Sequence, residues 1–270
     1  MNLETITLEH RDGVALITLS RPERLNAING RMKSEVGDVL DAIEHEPSVG
    51  AVVLAGAGRA FSSGMDLKDD AAGAVRGAEA WRRLLGEDLA FIMRFWDFPK
   101  PTIAAVHGFC LAAACELAMA CDVTIAEEGT FLGEPELRFG SVITAMLMPW
   151  LVGPKLAKEL LLGADDRISA ERAERIGLVN RVVPRGGGIE AALGMARRMA
   201  AMDADALRRT KLAINRGLDA MGLREALQAA LDQAVEIEAL ETPSRRMFKD
   251  ITRERGLKAA IEWREGRLAD

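Results

Sequence analysis

The fold class is decided by the segment Thr102-Ile-Ala-Ala-Val-His-Gly-Phe-Cys-Leu-Ala-Ala-Ala-Cys-Glu-Leu-Ala-Met-Ala-Cys-Asp-Val-Thr-Ile-Ala126. Its pattern predicts an apolar strand over Thr102–Val106, a loop at Gly108, a short alanine-rich helix, and a second strand over Val123–Ala126. The two strands do not alternate apolar and polar residues, and such strands are typically buried on both faces. A strand, a helix and a strand in succession predict an α/β core.

The alternation of strands and helices continues on the N-terminal side of this segment. The pattern predicts strands over Val14–Leu19 and Gly50–Ala55, and helices over about Gly30–His45 and Val75–Trp96. Pro99 stops the second helix, because proline cannot continue a helical hydrogen-bond ladder. The α/β pattern therefore covers the first half of the chain.

The last third of the chain has a different pattern. After Lys155 the one further strand predicted is a short segment at Leu178–Val183, and the rest is helical. One apolar stripe recurs at helical spacing: Leu223, Leu227, Ala230, Leu231, Ala234 and Val235. We therefore divide the chain into an α/β body over residues 1–200 and a helical region over residues 201–270. The stripe must be buried against the body or a neighbouring subunit.

Composition and charge limit the classes of function. Hydrophobic residues make up 49% and charged residues 28% of the 270 residues, which is ordinary for a folded protein. The formal net charge is −6 and no basic stripe is visible, which argues against nucleic-acid binding. No secretory signal precedes the first strand, and no uncharged stretch reaches the ~18 residues of a membrane span. We expect a soluble, cytoplasmic protein.

Motifs for metal, nucleotide and serine-acyl chemistry are absent or incomplete. Three histidines are scattered through the chain: His10, His45 and His107. Three cysteines match no zinc spacing, and we interpret them as small buried hydrophobic residues: Cys110, Cys115 and Cys121. Gly56-Ala-Gly58 could open a dinucleotide fingerprint, but Phe61 stands where the third glycine belongs, and a Gly-x-Ser-x-Gly elbow is missing. We expect neither a metal nor a cofactor.

Two carboxylates lie in apolar sequence and are candidates for proton transfer. Glu116 is the one charge between Lys100 and Asp122, and Glu136 follows the apolar Phe131-Leu-Gly segment. A buried carboxylate has a raised pKa, which suits a general acid or base. A salt bridge between Glu136 and Arg138 is the structural alternative. Glu134 is a rival for Glu136, because residues two apart on an extended segment can face the same way.

Two glycine-containing loops follow buried strands and lead toward helices. They are Ala60–Lys68 and Gly108–Glu116. Each loop can direct free backbone N–H groups outward, and two such donors at one point would form an oxyanion hole. Ordinary strand-to-helix turns would have the same sequence, so both interpretations remain open on the residues alone.

Six segments resemble the crotonase superfamily, and most closely the enoyl-CoA hydratases, in the family's order and over nearly the whole chain. They are Ser20–Asn29, Arg59–Lys68, Lys100–Gly108, Cys115–Asp122, Glu159–Gly163 and Ala173–Pro184. The resemblance implies a spiral of ββα units with a C-terminal helical trimerisation region, and a homotrimer or a dimer of trimers. It also implies an acyl-CoA thioester as the substrate.

The resemblance further implies enoyl-CoA hydratase activity, the reversible syn addition of water to a trans-2-enoyl-CoA. By family position the backbone N–H groups of Met65 and Ala113 hold the enolate oxygen, and Glu116 and Glu136 serve as acid and base. CoA, which is part of the substrate, is expected along two segments: Arg24, Leu25 and Ala27, and Met65, Asp66, Leu67 and Lys68. Arg24 and Lys68 could face its phosphates.

The chain departs from the family in three places. Ala112-Ala113-Ala114 replaces three glycines, and alanine keeps the N–H donor there provided that φ stays negative. The segment Ile143–Leu147, with Met148, Pro149 and Trp150 after it, replaces a glycine-rich wall and should reshape the acyl pocket. Ala260 and Trp263 replace the residues by which a neighbour often reaches CoA. These departures leave open a double-bond isomerase, a thioester hydrolase or a catalytically silent acyl-CoA binder.

Overall fold

The computed structural model describes residues 2–67, 75–240 and 242–266. The strands are β1 (Ile6–Arg11), β2 (Val14–Leu19), β3 (Ala51–Gly56), β4 (Thr102–Val106), β5 (Phe109–Leu111), β6 (Val123–Glu127), β7 (Phe131–Gly133), β8 (Ile168–Ser169) and β9 (Arg181–Val183). The helices are α1 (Gly30–Glu44), α2 (Ala78–Asp97), α3 (Ala113–Ala120), α4 (Glu136–Phe139), α5 (Met148–Val152), α6 (Pro154–Leu162), α7 (Ala170–Arg175), α8 (Gly188–Ala200), α9 (Ala204–Ala220), α10 (Leu223–Ala239), α11 (Pro243–Arg255) and α12 (Leu257–Gly266).

The larger sheet has six strands in the order β1-β2-β3-β4-β6-β9. Its β1–β2 pair is antiparallel, and the other pairs are parallel. All residues of β3 and β4 are buried, as the missing alternation predicts. Leu16 and Val53 pack against Leu193 of α8 on one face, whereas Ile17 and Leu54 belong to the core formed with α1, α2 and α3 on the other. The α/β class is confirmed.

The smaller sheet positions the candidate site. It has the order β5-β7-β8, with β5 and β7 parallel. Two single bridges extend its pattern into the loop after β3: Ser62 pairs with Cys110, and Met65 pairs with Ile28. These bridges place the glycine loops that follow β3 and β4 side by side. They also join the predicted CoA segments to one another.

Four of the strands in the described residues are not predicted by the sequence patterns. The edge strand β1 is mostly solvent-exposed and buries Ile6 alone, so its apolar signal is weak. The strands β5, β7 and β8 have three, three and two residues, which is too short for a period to be read. The predicted strand at Leu178–Val183 is shorter, Arg181–Val183, because Leu178 and Val179 pack into the core before the strand begins.

The C-terminal helices pack in different ways. Helix α9 has no buried residue and is held by polar contacts, including Lys211 Nζ to Asp122 Oδ2 at 2.7 Å. Helix α10 lies along α2, and α12 packs beside α4, where Arg138 lies 3.4 Å from Glu265. The body thus carries a helical C-terminal region, as predicted. No helix in the described ranges combines the length and apolarity that a membrane crossing requires.

Candidate active site

The two candidate oxyanion donors lie on adjacent loops. Gly64 precedes Met65 and has a φ of +92°, and a Cβ built on it would lie 3.2 Å from the backbone nitrogen of Ala113. Ala113 is the first residue of α3, so its N–H has no partner within the helix. In the described part of the chain, neither the Met65 nor the Ala113 N–H donates a hydrogen bond. The two loops therefore offer unused donors close together.

A buried asparagine fixes the loop that carries Met65. The side chain of Asn26 is fully buried, and its Nδ2 donates to the carbonyl oxygens of Ala57 at 2.8 Å and Ala60 at 2.8 Å. Ser62 Oγ donates back to the Asn26 carbonyl at 2.8 Å and accepts from the Gly64 N–H at 3.2 Å. The sequence motifs do not single out Asn26 as a functional residue. The sequence feature that could have indicated Asn26 is its polar side chain within the Ser20–Asn29 motif.

Ala112 corrects the expectation of negative φ across the three alanines. Its φ is +55° and its ψ is −137°, a region that side chains rarely occupy. Hydrogen bonds on both sides enforce this conformation: the Ala112 N–H donates to Gly133 O at 2.8 Å, and its carbonyl accepts from Cys115 N at 2.7 Å. The strained backbone dihedrals are those of Ala112, and Ala113 does not have a positive φ. The N–H of Ala113 is therefore still available at the start of the helix.

Glu116 lies on the inner side of α3 and is 2% exposed. Its Oε1 accepts from the backbone N–H groups of Thr144 and Ala145, both at 3.1 Å. Burial and the charge of Glu136 raise the pKa of Glu116 to about 8, against the lowering effect of the two N–H donors. From the sequence, the segment that contains Thr144 and Ala145 is expected only to form a wall of the acyl pocket. In the structure this segment also holds the Glu116 carboxyl group.

The segment after β7 brings two more carboxyl groups into the same region. Burial raises the pKa of Glu136 to about 7, and its Oε2 has no hydrogen-bond partner in the described residues. The structural alternative of a bridge to Arg138 is not observed, because Arg138 Nη1 binds Asp166 Oδ2 at 2.9 Å. The side chain of Glu136 therefore remains available for a substrate.

Glu134 is the most deeply buried member of this group. It is 1% exposed, and neither carboxyl oxygen has a hydrogen-bond partner within the described ranges. Burial and the charges of Cys115, Glu136 and Glu116 raise its pKa well above the ordinary value. The protonated form of Glu134 is therefore favoured by its burial. We refer to Glu116, Glu134 and Glu136 as the acid cluster.

The predicted CoA residues lie in the two joined segments. Ser63 N donates to Leu25 O at 3.0 Å, and Arg21 Nη1 binds both Ala27 O at 2.6 Å and Asp66 Oδ2 at 2.9 Å. Two further predicted residues, Arg24 and Leu67, are exposed on the same segments. Lys68 lies outside the described residues. The structure thus brings together the predicted residues that it describes.

Two cavities flank these segments. One of about 550 Å³ lies between α1 and α2, and its lining includes Met65 and the charged residues Lys33 and Asp88. The other, of about 570 Å³, lies near the carboxyl ends of β4 and β6 beside His107 and Arg185, and none of the predicted site residues that the structure describes lines it. Among the described residues, no group of three or more His, Cys, Asp or Glu side chains is arranged to hold a metal ion. The cysteines are buried thiols, as interpreted from the sequence.

Comparison with known proteins identifies the family. The family described as enoyl-CoA hydratase/isomerase matches residues 9–262. A probable enoyl-CoA hydratase of Rhizobium meliloti strain 1021 is 37% identical, over 92% of this chain and 99% of its own length. A short-chain-enoyl-CoA hydratase of Clostridium acetobutylicum is 36% identical, over 81% of this chain and 84% of its own.

Solved structures agree with the sequence relatives. The crystal structure of an enoyl-CoA hydratase/isomerase from Xanthobacter autotrophicus Py2 superimposes with a TM-score of 0.95 at 50% identity. The match covers 98% of this chain and 99% of that one, including the C-terminal helices. Since the family match spans almost the whole chain and the fold is the same, this chain belongs to the enoyl-CoA hydratase/isomerase family of the crotonase superfamily.

Proposed function

We propose that this enzyme is a hydro-lyase that adds water reversibly to a trans-2-enoyl-CoA and forms a 3-hydroxyacyl-CoA. One observation carries the proposal. Two buried carboxyl groups with raised pKa, those of Glu116 and Glu136, lie near the backbone N–H groups of Met65 and Ala113, which donate no hydrogen bond within the described residues. Hydration of a conjugated double bond needs a base for water, an acid for C2, and donors for the enolate oxygen. The site supplies a candidate for each.

The thioester carbonyl is proposed to accept hydrogen bonds from the N–H groups of Met65 and Ala113. As water attacks C3, negative charge moves onto this oxygen, where preorganised donors stabilise it more than they stabilise the neutral carbonyl. Ala113 contributes as the first residue of α3, whose N-terminal end also favours negative charge. The backbone of Met65 is held in place through the Ile28 bridge.

Glu116 and Glu136 are proposed to share the acid and base roles. Their pKa values of about 8 and about 7 mean that, between these values, the pair carries about one proton. The ionised member can take a proton from water, and the protonated member can deliver one to C2. Syn addition follows if both carboxyl groups lie on the same side of the double bond.

The substrate is proposed to bind with its CoA part along Arg24, Leu25, Ala27 and the segment from Met65 to Lys68. No cofactor is required by this reaction, because CoA belongs to the substrate and water is the second reactant. Trimerisation is proposed to use α9 and the residue that follows it, which expose apolar side chains that the described chain leaves uncovered: Leu212, Ile214 and Met221. A trimer or a dimer of trimers would cover this face.

The test is the loss of enoyl-thioester absorbance with trans-2-butenoyl-CoA, measured for the wild type, Glu116→Gln and Glu136→Gln. We expect decay in the wild type and a fall of about 10²–10⁴-fold in each variant, the usual contribution of a positioned acid or base. The control is Glu254→Gln, which alters an exposed carboxylate on α11. Release of free CoA or double-bond migration in place of hydration would refute the proposal.

A further inference from the structure

The cavity between α1 and α2 has a buried ion pair in its wall. Lys33 Nζ lies 2.5 Å from Asp88 Oδ1, and the two side chains are 18% and 12% exposed. Lys33 comes from α1 and Asp88 from α2, and both line the cavity together with apolar residues such as Val36 and Phe91. The structure therefore combines an apolar groove with a fixed pair of opposite charges.

Two observations place this pair near the reacting end of the substrate. Met65, one of the candidate oxyanion donors, lines the same cavity, and its bridge to Ile28 leads directly into α1. In addition, α2, which carries Asp88, packs against α3, which carries Glu116. Lys33 follows Gly30 by ~4.5 Å along the helix axis, at 1.5 Å per residue. The pair thus lies in the same cavity wall as Met65, on helices that lead to or pack against the candidate site.

Contact with an alkyl chain is energetically unfavourable for such an ion pair. Covering an ion pair with hydrocarbon removes its remaining water and supplies no hydrogen bond in return. An ammonium group has three N–H donors, and in the described residues Asp88 is the one hydrogen-bond partner of Lys33. The other donors of Lys33 can reach a ligand in the cavity. A substituent that accepts a hydrogen bond would satisfy them.

The sign of the surrounding charges selects the kind of acceptor. The cavity wall contains Asp41, Asp66, Glu87 and Asp88 against Lys33 and Arg94. Arg94 pairs with Asp41 at 2.5 Å, Arg21 pairs with Asp66 at 2.9 Å, and Lys33 pairs with Asp88 at 2.5 Å. These pairs leave Glu87 as the acidic group in excess, so the wall keeps a net negative charge. A carboxylate on the acyl chain would be repelled by this wall, whereas a hydroxyl or carbonyl oxygen would not.

We propose that Lys33 and Asp88 are specificity determinants that select an acyl chain with a neutral oxygen substituent, a hydroxyl or a carbonyl, over a plain alkyl chain. This inference rests on the proposed function, because it identifies the groove as the acyl side of that same site. It adds a substrate class to the reaction. The Lys33 ammonium donates to the oxygen of the substituent, and Asp88 holds the ammonium in position.

The first experiment compares kcat/KM for trans-2-hexenoyl-CoA with its 5-hydroxy and 6-hydroxy derivatives and with trans-2-hexenedioyl-CoA, which ends in a carboxylate. We expect one hydroxylated substrate to exceed hexenoyl-CoA by about tenfold or more, as a charge-assisted hydrogen bond provides. In Lys33→Met/Asp88→Asn, which removes both charges together, this ratio should fall toward one. The control Lys158→Met, on the exposed side of α6, should keep the wild-type ratio.

A binding measurement separates recognition from chemistry. By calorimetry, the wild type should bind 5- or 6-hydroxyhexanoyl-CoA more tightly than hexanoyl-CoA, although neither saturated compound can be hydrated. If these compounds bind as expected but no enoyl-CoA is hydrated, the proposed reaction is wrong and the inference stands. Equal binding of the saturated compounds, a preference for the plain or carboxylate-ended substrate, or an unchanged ratio in the double variant would each overturn the inference.

Discussion

The oxyanion loops and the acid cluster occupy neighbouring parts of the site but are built by different means. The loops are fixed by backbone pairing and by Asn26, whose side chain is fully buried and makes three hydrogen bonds to carbonyl oxygens. The acid cluster has few partners: Glu116 accepts two backbone bonds, and Glu134 has none within the described ranges. The oxyanion loops are held by many hydrogen bonds. The acid cluster is held by few, and its carboxyl groups have raised pKa values.

The difference suggests separate roles in the enzyme. Backbone pairing specifies where an oxygen will sit, and it depends little on side-chain identity. The protonation of the acid cluster depends on burial and on mutual repulsion, so it responds to single substitutions. Changes in the loops should therefore act through geometry, and changes in the cluster should act through charge.

A large effect is expected from Gly64→Ala, which tests the oxyanion loops. A Cβ at Gly64 would lie 2.7 Å from the Cβ of Ala112 and 2.9 Å from Leu111 O, at a φ of +92°. Both oxyanion segments must then move, and kcat should fall about 10²–10³-fold, as for loss of one oxyanion donor. Gly194→Ala in α8 is the matched control, because its nearest neighbour is a flexible arginine end at 4.0 Å. Equal activity of the two variants by steady-state assay would refute the geometric role.

The next effect separates the two carboxyl groups that follow β7. Glu136→Gln should lower kcat/KM by about 10²–10⁴-fold, because it removes a proposed acid or base. Glu134→Gln should stay within about tenfold of wild type, since burial raises the pKa of Glu134 well above its ordinary value and glutamine resembles the protonated form that burial favours. Turnover of trans-2-butenoyl-CoA measures both. If Glu134→Gln abolishes activity and Glu136→Gln does not, the catalytic assignment is wrong.

A smaller effect is expected in the pH dependence of stability. The folded state raises the pKa of Glu116 from 4.5 to about 8, so it favours the protonated form. Stability is therefore lost as the pH rises from about 4.5 to about 8, and Glu116→Gln does not suffer this loss. The Tm of the variant should match that of wild type at pH 4 and exceed it by about 3 °C or more at pH 9.

Thermal unfolding followed by circular dichroism at both pH values provides the measurement for Glu116→Gln. Glu254→Gln, which changes an exposed carboxylate of α11, should give the same Tm difference from wild type at both pH values. If the Tm difference between Glu116→Gln and wild type does not change with pH, Glu116 is not held in its protonated form by the fold.

The smallest effect concerns Ala112, the residue of the oxyanion loops whose backbone conformation is strained. With a φ of +55° and a ψ of −137°, Ala112→Gly should release strain of about 1–3 kcal/mol. The greater chain entropy of glycine offsets about 0.5–1 kcal/mol of this gain. The urea midpoint of the variant should therefore rise. Ala114→Gly, a buried position inside α3, should lower it, and a lower midpoint for both variants would contradict the assignment of strain to Ala112.

The sequence predicts the body of the fold because its central strands are long and apolar. The segments at Val14–Leu19 and Thr102–Val106 are observed with the predicted bounds. The short strands of the smaller sheet could not be predicted, since a period cannot be recognised over three residues. They depend on pairing between distant segments, such as Phe109 with Phe131. Tertiary pairing therefore supplies what local sequence does not.

The sequence predicts which residues belong to the candidate site, but it does not predict which groups contact them. Motif positions select Glu116, Glu136, Met65 and Ala113, and the structure places these residues in one region. Their roles remain predictions. The N–H groups of Thr144 and Ala145 belong to the segment that departs from the family, and a pattern carries no information on which carboxylate they will hold. The same applies to the Lys33–Asp88 pair, whose members lie 55 residues apart.

The packing of α12 beside α4 has a consequence for how the protein is made. Glu136 begins α4, and this helix is covered by the last described helix through Arg138 with Glu265, while Phe139 stacks edge-on against Phe248 of α11. The loops that carry Met65 and Ala113 can assemble while the nascent chain is still being translated. The surroundings of Glu136 are completed only after the final helices have left the ribosome. Removing α11 and α12 should therefore leave Glu136 without the helices that cover α4.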